Sequence, residues 1–227
     1  MQILWVFLWM LIISAVSFVG SYYVRKHKKP DAIIGLYVAF VLLSNIVAYK
    51  IAEFNFSIVT FYATAASLIF PVTFLLTDIV NEKFGRKETQ KMILIAFLSQ
   101  IATALFIYIS VILAPAPFWP DQESFARIIG FAPRIMIASW IAFLMSENAD
   151  AYIFAWFKKL TKGKHLWMRN SLSSIPSMAL DTTVFVTIAF IGVQPLMPLI
   201  VGVLVLKWII GIIDIPFMYW NRSIMGK

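Results

Sequence analysis

The chain has 227 residues, 61% of them hydrophobic and 13% charged, with a formal net charge of +8 and no cysteine. This composition excludes an ordinary soluble domain, disulfides, thiolate catalysis and Cys-ligated metals. A surplus of positive charge would point a soluble protein toward nucleic acid, but here its placement points to a membrane surface, and no nucleic-acid partner is expected.

In chain order, seven apolar stretches have the roughly 20-residue length that a bilayer core of about 30 Å requires. The first, near 3–24, lacks a basic leader and is read as a mature helix, not a cleaved signal. Its Trp5, Phe7, Trp9, Tyr22 and Tyr23 read mostly as an interfacial aromatic belt, and its Ser14, Ser17 and Ser21 as a small-residue stripe open to a partner helix. The others lie near 32–50, 57–79, 91–114, 134–157, 171–192 and 197–220. Short connectors rich in charge or proline separate them, including a Pro-studded stretch from Pro115 to Pro133. The expected architecture is all-α: one integral membrane domain over 1–227, a polytopic helical bundle of about seven spans. An extra N-terminal helix precedes a six-helix core, whose two halves of three would run in opposite orientations.

Lys and Arg alternate sharply between connectors. Fifteen of the nineteen basic residues fall on one side: Arg25, Lys26, Lys28, Lys29; Lys83, Arg86, Lys87, Lys91; Lys158, Lys159, Lys162, Lys164, Arg169; Arg222 and Lys227. Lys50, Arg127 and Arg134 fall on the other, and Lys207 lies inside the last span. The positive-inside rule then places the N-terminus outside and the C-terminus in the cytoplasm, with the basic loops meeting lipid headgroups.

Ionisable side chains near mid-bilayer cost a few kcal/mol each, so they need partners, a wet cavity or a function. Glu147, Asp181 and Lys207 fall near the middle of spans five, six and seven. Asp150 follows Glu147 on the same helical face, with Ser139, Phe143 and Phe154 close to it, and Lys207, Gly211 and Asp214 form a stripe on span seven. Asn45 on span two, and Asp78, Asn81 and Glu82 at the end of span three, complete a polar set expected to line an interior cleft. A plainer reading makes Lys207 only the neutralising partner of Asp181 or Glu147, and gives Asp78, Asn81 and Glu82 a capping role. Both histidines, His27 and His165, sit in basic loops, so neither a metal nor a cofactor is expected.

The segment from Phe70 to Lys87, with Thr77-Asp78-Ile79-Val80-Asn81-Glu82 at its centre, resembles the signature of the queuosine precursor transporter family, also called a vitamin uptake transporter family. Three further blocks agree: Arg134 with Ser139, Asp150 and Phe154; His165 through Asn170 with Ser173; and Asp181-Thr182 with Phe185, Ala189 and Phe190, followed by Lys207. The resemblance implies a multi-span importer of deazaguanine bases, the cyano and aminomethyl precursors of queuosine or archaeosine, in the plasma or inner membrane. Where the family prefers Gln, this chain has Glu147.

Its substrate would be a small purine-like molecule. Asp181, Glu147, Asp150, Lys207, Asn45, Asp78, Asp214, Ser139, Phe143 and Arg134 are the candidate contacts. A carboxylate accepts the ring N–H and exocyclic amine together, Lys or Asn serves the carbonyl, and an aromatic ring stacks on the base. An enzyme is not expected, because His-Glu-x-x-His and Gly-x-Ser-x-Gly motifs are absent. The other reading is a substrate-binding subunit of an energy-coupling-factor importer. The chain has no Walker motif, so that reading needs a separate ATPase; a self-sufficient secondary transporter, free to form homo-oligomers, needs none.

Overall fold

A computed structural model describes residues 2–55, 60–160 and 166–225. Seven long helices dominate them: α1 (Gln2–His27), α2 (Asp31–Val47), α3 (Phe70–Phe84), α4 (Arg86–Ile112), α6 (Ala132–Leu160), α7 (Leu166–Phe190) and α8 (Leu196–Met225). Between α4 and α6, in the proline-rich connector, lies the short amphipathic α5 (Gln122–Ile129). Gln122 at its start donates to the Val111 carbonyl at 2.9 Å, tying α5 back to the end of α4. Short connectors join α1 to α2 and α3 to α4, and both junctions carry basic residues, Arg25 to Lys29 and Lys83 to Lys87.

The expectation of a purely helical chain fails between α2 and α3. The expected spans 32–50 and 57–79 are instead a 17-residue α2, a β-hairpin, a 3-10 turn (Ala65–Leu68) and a 15-residue α3. Strands β1 (Ile51–Asn55) and β2 (Thr60–Thr64) pair antiparallel, with Phe54 opposite Phe61 and Glu53 opposite Tyr62. The two Phe rings stack at 5.8 Å on the buried face, while Glu53 and Tyr62 lie on the exposed one. Short apolar runs satisfy helix and strand alike by hydropathy. Here the β-branched and aromatic content of Thr60-Phe61-Tyr62-Ala63-Thr64 decides for strand.

At 1.5 Å per residue, α2 reaches about 26 Å and α3 about 22 Å, so neither alone matches a hydrocarbon core of about 30 Å. The hairpin between them packs into the core. Its buried Phe54, Phe61 and Ala63 join Ile135, Ala138 and Ala142 of α6, Phe185, Val186, Ala189 and Phe190 of α7, and Leu199, Val203 and Leu206 of α8 in one apolar cluster. The β2 backbone lies on α8 at Gly202, where a Cβ would come within 1.9 Å of the Tyr62 carbonyl oxygen; only glycine admits that approach.

Helix α1 packs against α3 and α8 as part of the bundle. Its serine stripe faces inward: Ser17 and Ser21 are buried, and Gly20 between them meets Ile33, Leu76 and Ile79. The stripe expected to receive a partner helix is thus occupied within the chain. Trp9, expected in the interfacial belt, instead donates its indole N–H to the Leu68 carbonyl at 2.7 Å, fastening α1 to the turn that follows the hairpin.

Among the described residues, three helical stretches, 7–27, 86–112 and 122–146, are long and apolar enough to cross a membrane, and shorter apolar helices accompany them. α4 turns Leu94, Leu98, Leu105, Phe106, Tyr108 and Ile112 outward. A continuous apolar face of this kind is stable against acyl chains and would aggregate in water. The chain is a membrane protein.

Candidate functional site

Two charged side chains meet at mid-height of the bundle. Lys207 Nζ of α8 lies 2.6 Å from Asp181 Oδ2 of α7, with the side chains 11% and 28% exposed. The hydroxyl of Ser146, from α6, is 3.5 Å from Asp181 Oδ1. Asp181 stands about 14 Å from the Phe190 end of α7, and Lys207 about 16 Å from the Leu196 start of α8, so both lie well inside their helices. A bare carboxylate at that depth would be strongly disfavoured, and the ammonium group balances it. Phe185, one turn along α7 from Asp181, and Leu206, the residue before Lys207, belong to the apolar cluster that takes in the hairpin.

A second polar junction joins α2, α4 and α6. Gln100 Oε1 accepts from Asn45 Nδ2 at 2.9 Å and from Trp140 Nε1 at 3.2 Å. The other Asn45 amide proton goes to the Val41 carbonyl at 2.9 Å, so both donors of Asn45 are engaged and its oxygen is what it can offer a ligand. Asn45 and Gln100 are both buried, and Phe97 packs edge-on to Trp140 at 5.0 Å between ring centres. Sequence reading missed Gln100 and Trp140. The signal available for Gln100 was a lone amide inside the apolar run 91–114.

The remaining candidates divide. Arg134 donates from Nε to Ile188 O at 3.0 Å and from Nη2 to Ile191 O at 2.8 Å, and packs over the Phe131 ring at 5.4 Å. Its guanidinium thereby satisfies carbonyls that the C-terminus of α7 leaves without helical partners. Phe143 is 43% exposed on α6, and Ser139 is partly buried one turn before it. The side chains of Asp78, Glu147, Asp150 and Asp214 lie outside the described residues. The structure therefore brings together Asp181 and Lys207, adds Ser146, and places Asn45 and Arg134 in separate contacts. Among the described residues, no cluster of His, Asp and Glu could hold a metal ion.

Residues 64–221 match the family described as "Putative vitamin uptake transporter". A curated relative from Bacillus subtilis, named "Probable queuosine precursor transporter", is 30% identical over 168 residues, covering 72% of this chain and 73% of the relative. A protein of the same name from Haemophilus influenzae is 30% identical over 131 residues, 58% of this chain and 53% of its own length. The "Queuosine precursor transporter" of Escherichia coli is 28% identical over 134 residues, 59% of this chain and 58% of its own. The chain thus spans a little over half the length of these last two. No solved structure matches it significantly.

Proposed function

Starting from the fact that the chain belongs to the vitamin uptake transporter family, we propose that it carries a queuosine or archaeosine precursor, a deazaguanine base, across the plasma or inner membrane as a secondary transporter. It acts without an ATPase partner, and the basic connectors of the bundle face the cytoplasm. The observation that carries this reading is a carboxylate at mid-height, balanced by one lysine yet still partly accessible.

A guanine-like base presents a ring N–H beside an exocyclic amine, and one carboxylate accepts both. Asp181 takes that role. Each of its oxygens has two lone pairs, so the base can bind while Lys207 stays close enough to balance the charge, or turns toward the base carbonyl. Ser146 steadies the other oxygen. Glu147 is a supporting or proton-linked group, so Glu147→Gln is milder at neutral pH than Asp181→Asn.

Purified chain in liposomes, with no other subunit, should accumulate a labelled cyano- or aminomethyl-deazaguanine saturably, and Asp181→Ala should abolish that uptake. Tight binding without uptake would instead favour a binding subunit that needs a motor.

A further inference from the structure

Pro115, Pro117 and Pro120 stiffen the stretch that follows α4. Pro117 takes the second position of a tight turn, closed by the Trp119 N–H on the Ala116 carbonyl at 2.9 Å. That places Phe118 at the tip of the turn, 89% exposed. Trp119, also exposed, packs edge-on against Phe125 of α5 with ring centres 5.7 Å apart, so turn and helix form one unit.

α5 has only eight residues, and a helix that short is marginal in water unless one of its sides is covered. Helical spacing puts Glu123, Ser124 and Arg127 on one side of it and Phe125, Ile128 and Ile129 on the other. Ile129 packs on the buried cluster of Ile107, Ala132 and Met136. Ile128 stays 44% exposed, and Trp119 lies against its neighbour Phe125, so the apolar side continues past the protein's own cover.

The height of this unit is set by α4, which is long and apolar enough to cross a membrane. Its first turns carry Arg86, Lys87, Glu88 and Lys91; the uncharged run from Met92 to Leu113 then spans about 33 Å, close to a hydrocarbon core of about 30 Å. Gln122 donates to the Val111 carbonyl at 2.9 Å, so α5 begins at the level where that run ends. The outward-facing Ile109, Ile112 and Leu113 of α4 lead the apolar surface up to the turn.

We infer that the α4–α6 connector is an interfacial anchor: Phe118, Trp119 and Ile128 are covered by lipid at the boundary between acyl chains and headgroups, where amphipathic and aromatic groups settle. Between Leu113 and Ala132 the only charges are Asp121, Glu123 and Arg127. The attachment is therefore apolar and does not draw on the attraction to anionic headgroups that polybasic segments use. The anchor is independent of what the chain carries.

The chain has no native cysteine, so single spin labels report cleanly. Labels at Phe118→Cys, Ile128→Cys and, on the polar side of α5, Glu123→Cys are compared in purified chain reconstituted into phosphatidylcholine vesicles. Relaxation by oxygen, which concentrates in lipid, is measured against relaxation by a water-soluble nickel chelate. At positions 118 and 128 the ratio of oxygen to nickel effect should exceed that at 123 by about threefold or more, with no change when anionic lipid is added. Ile128→Cys leaves both aromatic groups in place, so it reports even if replacing Phe118 loosens the turn. Relaxation of both labels mainly by the nickel chelate would put the connector in water. Shielding from both agents would show that protein, a second copy or another chain, covers the face. A preference for oxygen that appears only with anionic lipid would make the attachment electrostatic. Each of these three results overturns the proposal.

Discussion

Asp181 and Lys207 stand 26 positions apart in the chain and 2.6 Å apart in space, where neither charge is tolerable alone. Lys207→Met should cost about 1–3 kcal/mol of stability, because it leaves a partly buried carboxylate without its counter-charge. The double variant Asp181→Asn/Lys207→Met should cost less than the two single changes summed; thermal unfolding in detergent checks this, and strict additivity would mean the pair is not coupled. That charge falls within spans six and seven was legible from spacing alone, but the choice of partner was not: Asp181 and Glu147 were equal candidates for Lys207 on a linear map. Arg134 was legible as a basic residue at a span end. Its partners are carbonyls 54 and 57 positions away, which no side-chain pattern announces. Arg134→Ala should loosen the end of α7, lowering stability by about 1–3 kcal/mol for the carbonyls left unmatched.

Helices α4, α6, α7 and α8 were readable because long uncharged runs have one solution in a bilayer, and their observed limits extend the expected ones mainly into charged ends that hydropathy trims away. The α2–α3 region was not readable by the same criterion. Thr60–Thr64 is apolar enough to pass as span while Ile51–Asn55 fell in the connector between expected spans, and the pairing that makes them strands is seated on a glycine of α8 some 140 residues further on. Gln100 was likewise hidden: an amide in a span has no assigned role until Asn45 and Trp140 are seen to share its oxygen. Gln100→Leu should destabilise the α2–α4–α6 junction by about 1–3 kcal/mol, since Asn45 and Trp140 lose their acceptor, and Gln100→Glu, which keeps an acceptor but brings an ionisable group into the buried site, should destabilise it as well. Melting curves of the two variants decide this; equal stability of parent and Gln100→Leu would show that the junction is not a structural tie.

For the whole molecule, the alternation of basic and non-basic connectors predicts a cytoplasmic basic end, with the hairpin and α5 outside. A thiol at Asp121, exposed beside α5, should be labelled by an impermeant reagent in intact cells, and one at Lys87, exposed at the start of α4, should be protected. The reverse pattern would invert the orientation. Function reduces to whether Asp181 reads the amine edge of a deazaguanine base, and ligand discrimination tests that most directly. Binding of the base and of an analogue lacking the exocyclic amine should be compared in the parent, Asp181→Asn and Glu147→Gln. The parent should prefer the amine-bearing base. Asp181→Asn, which turns an acceptor into a donor facing the ligand's own donors, should bind that base roughly 5- to 150-fold more weakly, for a contact worth about 1–3 kcal/mol, and should discriminate little. If Asp181→Asn keeps the preference and Glu147→Gln loses it, the central claim is contradicted.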